Sequence, residues 1–187
     1  IRLLRMKREF VPERLNVGEF AQAGGRLSGE ESLASFERLA AESVESTDGL
    51  KVEWNAQGEE RHDASSRTEP WMHVQASTEL PLTCQRCLTP VRTRLESDRW
   101  FRFVADEETA AALDEELEED VLVASRDFNL RELIEDELLM ELPITPRHDV
   151  CPQDVTLSAQ DEDFDSADKD RVNPFAALAK LRSGKPE

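Results

Sequence analysis

Residues 74–83 and 91–103 each alternate apolar with polar side chains, and between them lie Cys84-Gln85-Arg86-Cys87, Leu88, Thr89 and Pro90. In the first run Val74, Ala76, Thr78, Leu80 and Leu82 face one way, with Gln75, Ser77, Glu79 and Thr83 opposed. In the second, Val91, Thr93, Leu95, Phe101 and Phe103 share a face, and Arg92, Arg94, Trp100 and Arg102 lie opposite. A period of two belongs to a half-buried strand and to no helix. Two such runs around a short polar turn predict a long hairpin with the cysteine pair at its tip.

The rest of the chain is organised around that hairpin. Residues 3–20 mix short apolar pairs with charges and end in a flexible break at Gly24 and Gly25. Leu33, Phe36, Leu39 and Ala40 recur at helical spacing, and Gly49 ends the segment. Leu50, Val52, Trp54 and Ala56 alternate as a strand, closed by a polar turn over residues 58–66. Residues 106–120 hold nine acidic side chains and no basic one, a helix or loop of negative surface. Residues 121–125 read as a short strand. Asn129, with Glu132 three residues on, then caps a helix carrying Leu130, Leu133, Ile134, Glu137, Leu138 and Leu142, which Pro143 stops. The pattern predicts an α+β fold: an antiparallel sheet or partly closed barrel with one or two packed helices and an acidic, mostly disordered C-terminal tail. The boundaries expected are a domain over 1–151, an acidic linker over 152–172 and a short amphipathic helix over 173–182. In that helix Asn173 caps, Pro174 takes the first position, and Phe175, Leu178 and Leu181 form an apolar stripe. The stripe either docks on a partner or folds back on its own domain.

The net charge of −18 repels phosphate backbones at long range. It fits a basic partner, such as a ribosomal protein, or RNA contact through one locally basic patch. No stretch approaches the roughly 20 apolar residues of a membrane span. Charges also break every apolar run of the N-terminal segment, so a membrane role is not expected and a cytoplasmic protein is. Three cysteines are an odd number, which favours a metal or thiol role over a disulfide framework.

Cys84-x-x-Cys87 is half of a zinc site, and His148-x-x-Cys151 supplies two more ligand types at the same spacing. Zinc takes four nitrogen or sulfur ligands in a tetrahedron, and a two-residue gap lets one turn present two of them. The alternative is a pair of reduced cysteines in a turn. Thiol–disulfide chemistry usually places its CxxC at a helix N-terminus, and here the motif lies between strands. Glycine-rich phosphate loops, dinucleotide fingerprints and nucleophile elbows are missing from the sequence, so no catalytic residue is singled out. Arg86, Arg92, Arg94, Arg99 and Arg102 crowd into 17 residues with Trp100 among them. Arginine grips phosphate with two parallel hydrogen bonds, and an aromatic ring stacks on an unpaired base. Arg86, Arg92, Arg94, Trp100 and Arg102 are therefore candidate RNA contacts. The alternative is a solvated strand face laced with salt bridges.

Three segments carry a resemblance: CQRCLTPV at the hairpin tip, EDELLMELPITPRHDVC at the end of the helix, and NPFAALAKL near the C-terminus. In order and spacing they resemble the YceD family of bacteria and plastids. The resemblance implies a role in accumulation of large-subunit (23S) ribosomal RNA without catalysis. It also implies large-subunit pre-ribosomal RNA or a basic ribosomal protein as partner. Many relatives have a more cysteine-rich C-terminal segment resembling a zinc ribbon, of which this sequence keeps Cys151. Two other readings stand beside this one: a chaperone-like module for a basic ribosomal protein, and a thiol- or zinc-dependent enzyme.

Overall fold

A computed structural model describes residues 10–62, 67–114 and 120–153. The chain divides into two compact units, Ile1–Val150 and Cys151–Glu187. Every element named below lies in the first. The tail segments 154–172 and 173–182, with Phe175, Leu178 and Leu181, lie outside the described residues.

Five strands form one open sheet in the order β1-β2-β3-β4-β5: Arg26–Ser32, Lys51–His62, Thr68–Thr83, Pro90–Val104 and Asp120–Val123. The first four pair antiparallel with their neighbours, and β5 pairs parallel to β4. The sheet is not closed, so the expectation of a partly closed barrel is corrected to an open sheet. Its two end strands are seven and four residues long, and the outer edges of β1 and β5 have no strand beside them among the described residues. The wholly antiparallel expectation also gives way at β5. A parallel neighbour needs a crossover, and α3 (Glu107–Asp114) lies in the connection between β4 and β5.

The hairpin of residues 68–104 dominates the sheet, with register pairs running from Trp71 with Arg102 to Thr83 with Pro90. Its inner face carries Met72, Val74, Ala76, Leu80, Leu82, Leu95, Phe101 and Phe103, all buried, and joins Val52, Trp54 and Ala56 from β2. Two helices cover that face, α1 (Val17–Gln22) and α4 (Leu130–Met140), and α2 (Glu37–Ala41) packs against α4. Asn129 caps α4 as its sequence predicts, its side-chain oxygen accepting from the N–H of Arg131 and Glu132. Leu130, Ile134 and Leu138 then bury one stripe.

The local sequence marks Gly58 as the start of a turn, but β2 continues to His62. A strand needs a glycine here because α1 lies directly on it. A Cβ at Gly58 would come within 2.6 Å of the Phe20 ring and 2.9 Å of its backbone. Gly58 N–H donates to the Gly25 carbonyl at 2.9 Å, so the expected break at Gly24 and Gly25 is instead the link from α1 into β1. The substitution Gly58→Ala is expected to lower stability by about 1–3 kcal/mol, because a Cβ 2.9 Å from the Phe20 main chain forces backbone to shift. Thermal unfolding followed by circular dichroism checks this, with unchanged melting as the contrary result.

Two acidic side chains of α4 are buried with its apolar stripe. Glu137 accepts from the Ser97 hydroxyl at 3.1 Å and pairs with Arg99 Nε at 3.1 Å. Burial pushes the Glu137 carboxyl up, against the downward pull of Ser97 and Arg99. Its protonated form is thus favoured more in the folded chain than in the unfolded one. That contribution is full below the ordinary glutamate value and is lost as pH rises through the raised one. The melting temperature of Glu137→Gln minus that of wild type is expected to be most positive at neutral pH and to shrink on acidification toward about pH 4.5. A difference that grows on acidification would contradict this placement.

Candidate metal centre and hairpin tip

Beyond the last paired residues of β3 and β4, the chain turns through residues 84–89. Cys84 N–H donates to the Thr89 carbonyl at 3.0 Å, and Leu88 N–H donates to the Cys84 carbonyl at 2.8 Å. The turn closes only with Leu88 at φ +60°, the one positive φ outside glycine among the described residues. The segment after α4 is bound to this tip. Gln85 N–H donates to the Pro146 carbonyl at 2.8 Å, and the Arg86 guanidinium donates to the carbonyls of His148 and Asp149 at 2.9 and 3.3 Å.

Those bonds bring His148 to the cysteines. His148 Nδ1 lies 3.4 Å from Cys87 Sγ, and Nε2 lies 3.0 Å from the Pro90 carbonyl oxygen. A carbonyl only accepts, so Nε2 carries the proton and the Nδ1 lone pair is aimed at the cysteine cluster. An outer hydrogen bond of this kind is what orients a histidine toward a metal. The ligand atoms of Cys84, Cys87, His148 and Cys151 all lie within 4.8 Å of one another. Zinc–sulfur and zinc–nitrogen bonds of about 2.3 and 2.05 Å put tetrahedral ligand atoms about 3.5–3.8 Å apart. The Cys87–His148 distance already matches, and the widest separation needs about 1 Å of contraction. Three cysteines and one histidine at this spacing form a group that fits zinc.

The electrostatics agree with that chemistry. Burial pushes the Cys84 thiol up, but hydrogen bonds from the N–H groups of Cys87, His148 and Arg86, with one from the Cys87 side chain, bring it down to about 5. Cys84 in turn raises His148. A site that favours thiolate is prepared for a cation.

The predicted RNA contacts are spread over several environments. Arg86 sits on the tip as described. Arg92 is exposed at the last turn of the hairpin, and Arg94 pairs with Glu96 on the outer face. Farther along the same face Arg102 pairs with Glu69 at 2.7 Å. There Trp100 stacks on His73, with ring centres 4.4 Å apart and planes 7° from parallel. The Arg61 guanidinium lies over Trp100 at 4.0 Å and over Trp71 at 4.3 Å. Arg99 points to the inner face, toward Glu137. Sequence reasoning missed Arg147, exposed on the segment bound to the tip, and it missed the aromatic ladder. Alternation alone does not reveal which ring covers which. Between the two ends the outer face forms an open groove of about 630 Å3 lined by Glu30, Glu53, Asn55, Gln75, Glu96 and Asp98, among others.

Residues 72–182 match the family described as large ribosomal RNA subunit accumulation protein YceD. This chain belongs to the YceD family. A curated relative from Haemophilus influenzae, itself described as large ribosomal RNA subunit accumulation protein YceD, is 31% identical over 114 residues. The match covers 59% of this chain and 64% of the relative, so the chain spans just under two thirds of that relative's length. No solved structure matches. The family match takes in β4, α4, most of β3 and all four residues of the YceD chain's Cys3His group. Among the described residues no helix is long and apolar enough to cross a membrane.

Proposed function

We propose that this YceD-family chain is a non-catalytic, cytoplasmic factor that promotes accumulation of 23S ribosomal RNA by binding a large-subunit precursor. The observation that carries this reading is the family match over 72–182, joined to a site chemistry suited to holding structure. Cys84, Cys87, His148 and Cys151 would hold zinc as a four-coordinate centre. Such a centre has no open position for a substrate and staples the segment after α4 onto the hairpin. Arg86, Arg92, Arg94, Trp100 and Arg102 stand in this reading as the face toward RNA. Phe175, Leu178 and Leu181, at the end of an acidic linker over 152–172, stand as a docking peptide. Cells lacking the gene are expected to show a lowered ratio of 23S to 16S ribosomal RNA, restored by the intact chain. An unchanged ratio sinks the proposal.

The acidic outer groove favours a second reading, in which the partner is a basic ribosomal protein held before assembly. That complex would survive RNase and weaken with salt, because exposed charge pairs are screened.

A further inference from the structure

Among the described residues charge is distributed unevenly, and the hairpin tip is poor in acid. Acidic residues number 41 of 187, yet none occurs over 80–95 or over 142–148. These two stretches are the ones hydrogen-bonded together at the hairpin tip, through Gln85 to Pro146 and His148 to Pro90. They bring Arg86, Arg92 and Arg147 to one end, with Asp149 as the nearest acid in sequence. Arg92 and Arg147 are exposed and make no ion pair among the described residues. Beside the acidic outer groove, such a basic end is the more favourable place for a polyphosphate among the described residues.

The same end presents apolar side chains to water. Leu88, Ile144 and Val150 are 74%, 98% and 85% exposed, the three most exposed large hydrophobic residues described. Leu88 is held at φ +60°, a conformation that costs a leucine about 1 kcal/mol and that glycine adopts freely. That turn holds an exposed leucine beside the arginines, where it offers an apolar contact to a ligand.

We propose that this tip is where the YceD chain takes single-stranded RNA. Arg92 and Arg147 contact phosphates, while Leu88, Ile144 and Val150 lie against unstacked bases. A duplex hides its base faces and offers nothing to those three side chains. The inference rests on the RNA-binding reading above and narrows it. Trp100 and Arg102, engaged by His73, Arg61 and Glu69 at the far end of the strands, lie outside this tip.

The test is fluorescence anisotropy of a fluorescein-labelled 12-nucleotide single-stranded RNA with the full chain, titrated at several salt concentrations between about 50 and 200 mM. Arg92→Gln with Arg147→Gln is expected to weaken binding at least tenfold. It should also flatten the log–log salt slope by about 1.4, which is about 0.7 for each single-strand phosphate that no longer meets an arginine. Leu88→Ser with Ile144→Ser is expected to weaken binding several-fold with the slope unchanged. Arg26→Gln, on the exposed face of β1, should bind as wild type, and metal content and circular dichroism report that each variant is folded. Wild-type affinity and slope in the double arginine variant would overturn the proposal, as would equal affinity for a duplex of the same length. So would a leucine–isoleucine variant that fails to restore 23S RNA in cells while binding RNA normally, since the tip would then dock a protein. If binding maps to the tip but cells lacking the gene keep a normal 23S to 16S ratio, the functional reading fails and this one stands.

Discussion

The protein purified from zinc-supplied cells is expected to carry one zinc per chain, and the Cys84→Ser/Cys87→Ser variant none. The arrangement behind this is a histidine whose Nε2 is committed to the Pro90 carbonyl and whose Nδ1 stands 3.4 Å from Cys87 Sγ. The other thiols complete a group within 4.8 Å. Serine keeps the size of the side chain and removes the thiolate, so a lost metal cannot be blamed on packing. A metal bound only by the folded chain stabilises it by about 4 kcal/mol when free metal is a thousandfold above Kd. For a domain of this size that is on the order of 10 °C in Tm. The hydrophobic core lies elsewhere, around Phe20, Phe36, Phe101 and Phe103. The variant should therefore retain its far-ultraviolet circular dichroism and lose hydrogen-exchange protection at 84–90 and 146–151. A wild-type protein without metal, grown in ample zinc, would contradict the assignment.

The second large effect is expected at Glu135. This α4 side chain accepts from the backbone N–H of Arg38 at 2.8 Å and of Leu39 at 3.2 Å, at the first turn of α2. It also receives Arg38 Nε and Nη2 at 3.1 and 2.9 Å. The residue before α2 is Phe36, which has no side chain able to cap it, so Glu135 caps the helix from another element. Glu135→Ala leaves two backbone N–H donors without an acceptor while Arg38 keeps Asp136, and is expected to cost about 2–4 kcal/mol. Its neighbour Asp136 meets Arg38 only at the exposed edge, and Asp136→Ala should cost less than about 1 kcal/mol. Comparable losses at the two positions in denaturant titrations would mean that the cap is not what joins α2 to α4.

These two sites differ in how far the sequence announces them. The grouping of three cysteines and a histidine was legible, because CxxC and HxxC are local patterns and period two placed the first of them at a hairpin tip. The cap at Glu135 was not legible, since it depends on two helices meeting across 97 residues of chain. Gly58 misled for a related reason: a glycine that marks a turn locally is, in the fold, the place where α1 rests on β2. β1 was missed because Arg26–Ser32 offers only one large apolar residue to mark a face. Arg99 keeps the same period as Leu95 and Phe101, so its inward direction was available from the alternation. Its grouping with the outer arginines came from composition instead. The acid-free window over 80–95 was also in plain view, but its meaning depended on 142–148 returning to the same end.

The central claim is that the YceD chain acts directly on a large-subunit precursor through this hairpin. Its most direct test is a sucrose gradient of cells expressing the tagged protein at low salt, with and without RNase, followed by crosslinking. The protein is expected in precursor large-subunit fractions, released by RNase, with RNA crosslinks on residues 84–92 and 144–150. A protein that stays at the top of the gradient, bound to one basic protein or to nothing, would contradict it.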